Sequence, residues 1–151
     1  MALTLRNARA GDVPVLVDFN IQLAWETEHK RLDPTTLTSG ILALFKDPSK
    51  GFYIVAEEEG AIIGQTMITY EWSDWRNGMF WWIQSAYVRP EKRGAGVFSA
   101  LYCHVEQLAT EKGGVCGLRL YVEEDNARAQ EAYRKLGMTR TGYRLFEVEL
   151  R

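Results

Sequence analysis

Cysteine and histidine are scarce in this 151-residue chain, with only Cys103, Cys116, His29 and His104 to offer. None stands at a metal-ligand spacing, so no metal is expected as an organising device. Without a paired histidine, a cysteine nucleophile is disfavoured as well. Two cysteines with no such pattern fit a reducing cytoplasm. Long apolar runs are also missing. None reaches the roughly 18 residues a membrane helix needs, and Met1-Ala2-Leu3-Thr4-Leu5-Arg6 lacks the core of a signal peptide. Neither sign of charge dominates: 18 basic against 20 acidic residues leave a net charge of −2. That balance offers no footprint for nucleic acid or an anionic membrane, so any positive charge that matters must be local. What remains is 46% hydrophobic, enough for a real core in a single domain spanning 1–151.

Taken in order, Leu3 to Arg6 alternates as a first strand. Asp12 is placed to cap a helix running to about Glu28, with Pro14 in its first turn. A second helix is expected from Thr36 to Phe45, stopped by Asp47-Pro48. Strands follow at 51–57 and 61–70, and Asn77-Gly78 signals a hairpin. After a long strand and a helix come a strand at 118–122, a helix from Asn126 to Leu136 stopped by Gly137, and a closing strand from Tyr143 to Leu150. The succession βααβββαβαβ, without repeat, linker or low-complexity segment, predicts a mixed α/β sheet with helices on both faces.

The chain is organised around residues 81–101. From 79 to 88, alternate positions place Met79, Trp81, Ile83 and Tyr87 on one face, and Phe80, Trp82, Ala86 and Val88 on the other. Apolar on both faces, this strand is central and covered on both sides. Pro90 ends it. Lys92-Arg93-Gly94-Ala95-Gly96 then leads into a helix marked by Val97, Leu101, Val105 and Leu108. No side chain stands ready to cap that helix, the glycines allow close approach to its backbone, and two cations lie beside it. Such a point can hold phosphate. A flexible turn, with glycines for geometry alone, explains the stretch equally well.

The run Val88-Arg89-Pro90-Glu91-Lys92-Arg93-Gly94-Ala95-Gly96 resembles the signature turn of the GNAT superfamily of N-acetyltransferases, Gln/Arg-x-x-Gly-x-Gly/Ala. Arg93 and Gly96 fill its first and fourth positions, and Phe98 stands where Gly or Ala is usual. Asn126-Ala127-Arg128-Ala129-Gln130-Glu131-Ala132-Tyr133-Arg134-Lys135-Leu136-Gly137-Met138 resembles the family's second signature, with Asn126, Tyr133 and Gly137 in place and Met138 in place of Phe. The resemblance covers nearly the whole chain. It implies a central, mostly antiparallel mixed sheet with a V-shaped splay, flanked by helices on both faces.

It also implies acetyl-coenzyme A as cosubstrate and a small-molecule or peptide amine as acceptor, with no nucleic acid or membrane partner, and leaves a homodimer open. By the resemblance, the backbone of Ala86, Tyr87 and Val88 lies along the pantetheine arm. The amides of Gly94, Ala95, Gly96, Val97, Phe98 and Ser99 meet the pyrophosphate with Arg93 beside them. Asn126 bonds the arm, and the Tyr133 hydroxyl meets the sulfur. Seen alone, Asn126 is an ordinary helix cap and Tyr133 part of an apolar stripe.

The reaction needs a neutral amine, a donor for the tetrahedral oxyanion, and a proton for the thiolate. With an alkylamine pKa of about 10.4 and a thiol pKa of about 8.5, deprotonating the amine is the larger demand. Tyr133 suits the smaller one as general acid, and strand N–H groups suit the oxyanion. Relatives often place the base on one of the two splayed strands, where this chain has Trp82 and Tyr121. Glu26 and Glu71 are then the candidates, acting through water. Trp25-Glu26-Thr27-Glu28 and Glu71-Trp72-Ser73-Asp74-Trp75 combine rings with carboxylates, which would draw a cationic amine. Gln84, polar within the central strand, is expected to bond its neighbours. A non-catalytic acyl-coenzyme A-binding module is the alternative. A Rossmann-type binder is weak, because Gly94-x-Gly96 lacks the third glycine.

Overall fold

The structure is a computed structural model that describes residues 2–151. Chain contacts gather it into two units, one ending at Tyr121 and the other Val122–Arg151.

In the first unit, β1 (Leu3–Asn7), β2 (Phe52–Glu58), β3 (Ala61–Ser73), β4 (Gly78–Val88) and β5 (Val115–Leu120) form one sheet in the order β1-β2-β3-β4-β5. The first three pairings are antiparallel, and β5 lies parallel to β4. Helices α1 (Val13–Glu28) and α2 (Pro34–Lys46) precede β2, and α3 (Val97–Lys112) crosses from β4 to β5, as a parallel pair requires. This is the mixed sheet expected from the succession of elements.

Helices cover both faces. Leu16, Phe19, Ile41 and Leu44 of α1 and α2 pack with Tyr53, Val55, Ile62 and Tyr87 of the sheet. On the other face α3 approaches so closely that a Cβ on Gly64 would stand 3.1 Å from Val97 Cγ1. Burying side chains such as Leu16, Phe19 and Leu101 contributes about 1.5–3 kcal/mol each.

The register holds a surprise for simple alternation. Gln65 pairs with Tyr87 and Met67 with Gln84, so Thr66 faces two residues, Ser85 and Ala86. This β-bulge exchanges the faces of the strand beyond it. Tyr87 therefore lies on the face of Trp82 and Gln84, under Phe19 (ring centroids 5.0 Å apart), and not on that of Trp81 and Ile83.

Three local readings are corrected. Asp12 does not cap α1 by its side chain; its carboxylate turns back to the Arg9 amide (2.7 Å) and Arg6 (2.8 Å). Arg6 is drawn on from the other side by Glu57, at 3.4 Å. The last strand of the sheet begins at Val115 and ends at Leu120, earlier than 118–122, because Gly113 and Gly114 turn at once with φ of +76° and +77° and Met79 donates to the Gly114 carbonyl. Residues 143–150 form no strand. Tyr143, Leu145, Phe146, Val148 and Leu150 are exposed, since an apolar pattern defines a face but supplies no ladder partner. The second unit holds α4 (Ala127–Lys135), capped as expected by the Asn126 side chain, which accepts from the Ala129 amide at 3.1 Å.

Candidate active site

Two features of the sheet make the site. β5 pairs with β4 only from Met79–Val115 to Ile83–Leu120. β4 runs on through Gln84, Ser85, Ala86, Tyr87 and Val88 with no β5 partner on that edge, and there the sheet splays.

The bulge falls at the mouth of the splay. Ser85 takes φ +49°, a left-handed conformation costing a β-strand residue on the order of 1–3 kcal/mol. Buried side chains of β3 hold it: Thr66 Oγ1 donates to the Gln84 carbonyl at 3.0 Å, and Gln65 Nε2 to the Ser85 carbonyl at 2.9 Å. The buried Tyr53 hydroxyl accepts from Asn20 Nδ2 at 3.1 Å, and burial pushes its pKa up. Gln84 behaves as a bonded neighbour, donating to Thr69 Oγ1 at 2.6 Å.

The turn after β4 is the second feature. Gly94 and Gly96 take φ +80° and +83°, where a side chain would be strained, and nothing lies within 4 Å of a Cβ built on either. α3 opens at Gly96 with no side-chain cap, as its sequence indicates. The flanking cations have partners. Lys92 Nζ bonds Glu58. Arg93 donates Nη2 to Glu26 at 2.8 Å and Nε to the Val88 carbonyl at 2.8 Å, over the Tyr87 ring. The arginine is thus fixed against the end of the central strand. Phe98 sits half-buried in the first turn of α3.

The two candidate carboxylates part company. Glu26 belongs to the glycine turn through Arg93. Glu71 stands opposite Phe80 on the face that carries Trp82, and its Oε1 accepts from Trp82 Nε1 at 2.9 Å and Arg119 Nη1 at 3.0 Å. Trp72 does not share that face, since neighbours on a strand point to opposite sides. Trp75 is 87% exposed, and Trp25 is met by Arg31 at 4.6 Å and by His29. The rings beside Glu71 are Trp82 and Tyr121, stacked with centroids 4.5 Å apart. Arg119 and Phe80, which complete this cluster, escaped the sequence reading; the clue was a lone cation between Leu118 and Leu120.

In the second unit, Asn126 caps α4 and Tyr133 is half-buried on it, with burial raising the hydroxyl pKa above its ordinary value. Among the described residues no group of His, Cys, Asp and Glu could hold a metal, and no helix is long and apolar enough to cross a membrane.

A splayed sheet beside an uncapped, glycine-bounded helix start has the shape for an extended, phosphate-bearing ligand. A solved structure of a possible acetyltransferase from Clostridium difficile 630 is 41% identical, with TM-score 0.91, and the match covers 100% of this chain and 99% of that one. Thialysine N-epsilon-acetyltransferase of Bos taurus is 35% identical over 77 residues, covering 50% of this chain and 44% of that protein. Mycothiol acetyltransferase of Mycolicibacterium gilvum (strain PYR-GCK) is 28% identical over 130 residues, covering 83% of this chain and 41% of that protein. The chain thus spans less than half the length of these curated relatives. The profile of the Acetyltransferase (GNAT) family matches residues 17–138, and the chain belongs to that family.

Proposed function

We propose that the protein transfers an acetyl group from acetyl-coenzyme A directly to a primary amine of a small molecule or peptide. The observation that carries this reading is the open edge of β4 at Gln84 to Val88, set immediately before the glycine turn. The backbone of Ala86, Tyr87 and Val88 is available to an extended arm there, and Gly94 to Ser99 suit a pyrophosphate. Acetyl-coenzyme A would supply an activated acyl carbon and a sulfur leaving group.

Every proton then has a place. The amine nitrogen bonds the acetyl carbon as the carbon–sulfur bond breaks, and the amine's proton leaves through water. Backbone N–H groups of β4 suit the charge on the acyl oxygen. The family's second signature gives Asn126 to the arm and makes Tyr133 the acid that protonates the sulfur. Burial raises its pKa above the ordinary value and so favours the protonated form.

Glu26 and Glu71 fit other work than the base foreseen for them. Glu26 steadies Arg93. Glu71 pairs with Phe80, so its Cα lies four strand positions, about 13 Å, from Gln84. It suits holding the acceptor better than taking its proton. The thialysine relative, by its name an ε-amine acetyltransferase, supports a lysine-like acceptor.

The test is free-thiol release from acetyl-coenzyme A across a panel of amines. Amine-dependent release is expected. Coenzyme binding without release for any amine would instead establish the non-catalytic binding module, for which Phe98 in the turn and the Trp82–Tyr121 stack speak.

A further inference from the structure

Arg119 on β5 is held ready on one side and open on the other. Its guanidinium lies 3.6 Å from the Phe80 ring centroid. That ring is fixed in turn by Gly117, where a Cβ would come within 2.7 Å of Phe80 Cε1. Of five N–H donors, Arg119 gives one, Nη1, to Glu71 Oε1, and among the described residues it makes no other hydrogen bond. Glu71 is similarly one-sided. Oε1 takes both Arg119 and Trp82, while Oε2 accepts no bond among the described residues. The side chains are 24% and 45% exposed, so the open atoms can meet a ligand.

We infer that this pair reads the head group of an α-amino acid, so that the acceptor is a small α,ω-diamino acid acetylated at its far amine. The open donors of Arg119 form the planar fork that a carboxylate accepts in two parallel bonds. The open oxygen of Glu71 suits the neighbouring ammonium. A plain diamine presents only positive charge, which Arg119 repels and Glu71, already matched, attracts less. Arg119 is level with Trp82, three strand positions before Ser85 at the splay, and with the α-ammonium held at Glu71 the amine left to reach the splay is the far one.

This inference rests on the acetyl transfer proposed above, and the test separates the two. Thiol release would be measured with lysine, ornithine and 1,5-diaminopentane for the parent protein, Arg119→Gln and Arg119→Lys. In the parent, kcat/KM for lysine and for ornithine should each exceed that for 1,5-diaminopentane by at least about tenfold. Arg119→Gln should collapse the lysine-to-diamine ratio toward one, mainly through the KM for lysine. Arg119→Lys, which keeps the charge without the fork, should leave it intermediate. A parent preferring the diamine, or an unchanged ratio in a folded Arg119 variant, overturns the assignment. Release with amines lacking a carboxylate only would overturn it while leaving acetyl transfer standing; no release with any amine overturns both.

Discussion

At Tyr133, hydroxyl and ring have separable duties. Tyr133→Phe keeps the half-buried ring on α4 and removes only the proton donor. If the hydroxyl protonates the departing sulfur, kcat should fall by about 10²-fold or more while acetyl-coenzyme A affinity stays near the parent's. Steady-state kinetics showing parent kcat would make Tyr133 a packing residue. Gly96 allows a finer cut, because strain and obstruction can be told apart there. Both Gly96→Ala and Gly96→Glu place a side chain at φ +83° with nothing nearby to clash, costing each about 1–2 kcal/mol of stability. Only the glutamate sets a charge against pyrophosphate. Calorimetry should find coenzyme A binding weakened in the alanine variant and lost in the glutamate variant; equal affinities in the two would remove the turn from the binding site. Glycine at this point, like Asn126 and Tyr133, was legible in the sequence because its chemistry depends on residue type and spacing. Arg119 was not, because its meaning lies in Phe80 and Glu71, residues 39 and 48 positions away in the chain.

Among the elements, β4 shows why alternation misleads. Its bulge is held from β3, so no pattern within 79–88 reveals that Tyr87 changes face. Thr66 and Gln65 are the hands that hold it. Thr66→Val is close in volume but removes the donor to the Gln84 carbonyl, and should destabilise the protein by about 1–2 kcal/mol. A urea midpoint indistinguishable from the parent's would show that the strand keeps its bulge without that bond. The ends of β1 and α1 give a pH-dependent counterpart. The Arg6 guanidinium, through its hydrogen bond, holds Asp12 below its ordinary value of 3.8. Between that depressed pKa and 3.8 the unfolded chain binds more protons than the folded one, so the stabilisation is present above 3.8 and lost as pH falls. Asp12→Asn should therefore lower Tm near neutrality, with the deficit shrinking in acid. A deficit that does not vary with pH would assign Asp12 a purely steric role.

For the whole molecule, the sheet and its helices were readable from the order of elements, because a hairpin-linked run of strands followed by a β–helix–β crossover has few ways to pack. The strand expected from Tyr143 to Leu150 was a misreading, since alternation marks a face but cannot name a partner to pair with. The central proposal is that acetyl passes from acetyl-coenzyme A to an amine without resting on the protein. Intact-protein and small-molecule mass spectrometry tests it most directly. Incubated with acetyl-coenzyme A alone, the protein should keep its unmodified mass; on adding lysine, mono-acetylated lysine and coenzyme A should appear in equal amounts. An acetyl group retained on the chain, or no acetylated amine from any acceptor, would contradict the account.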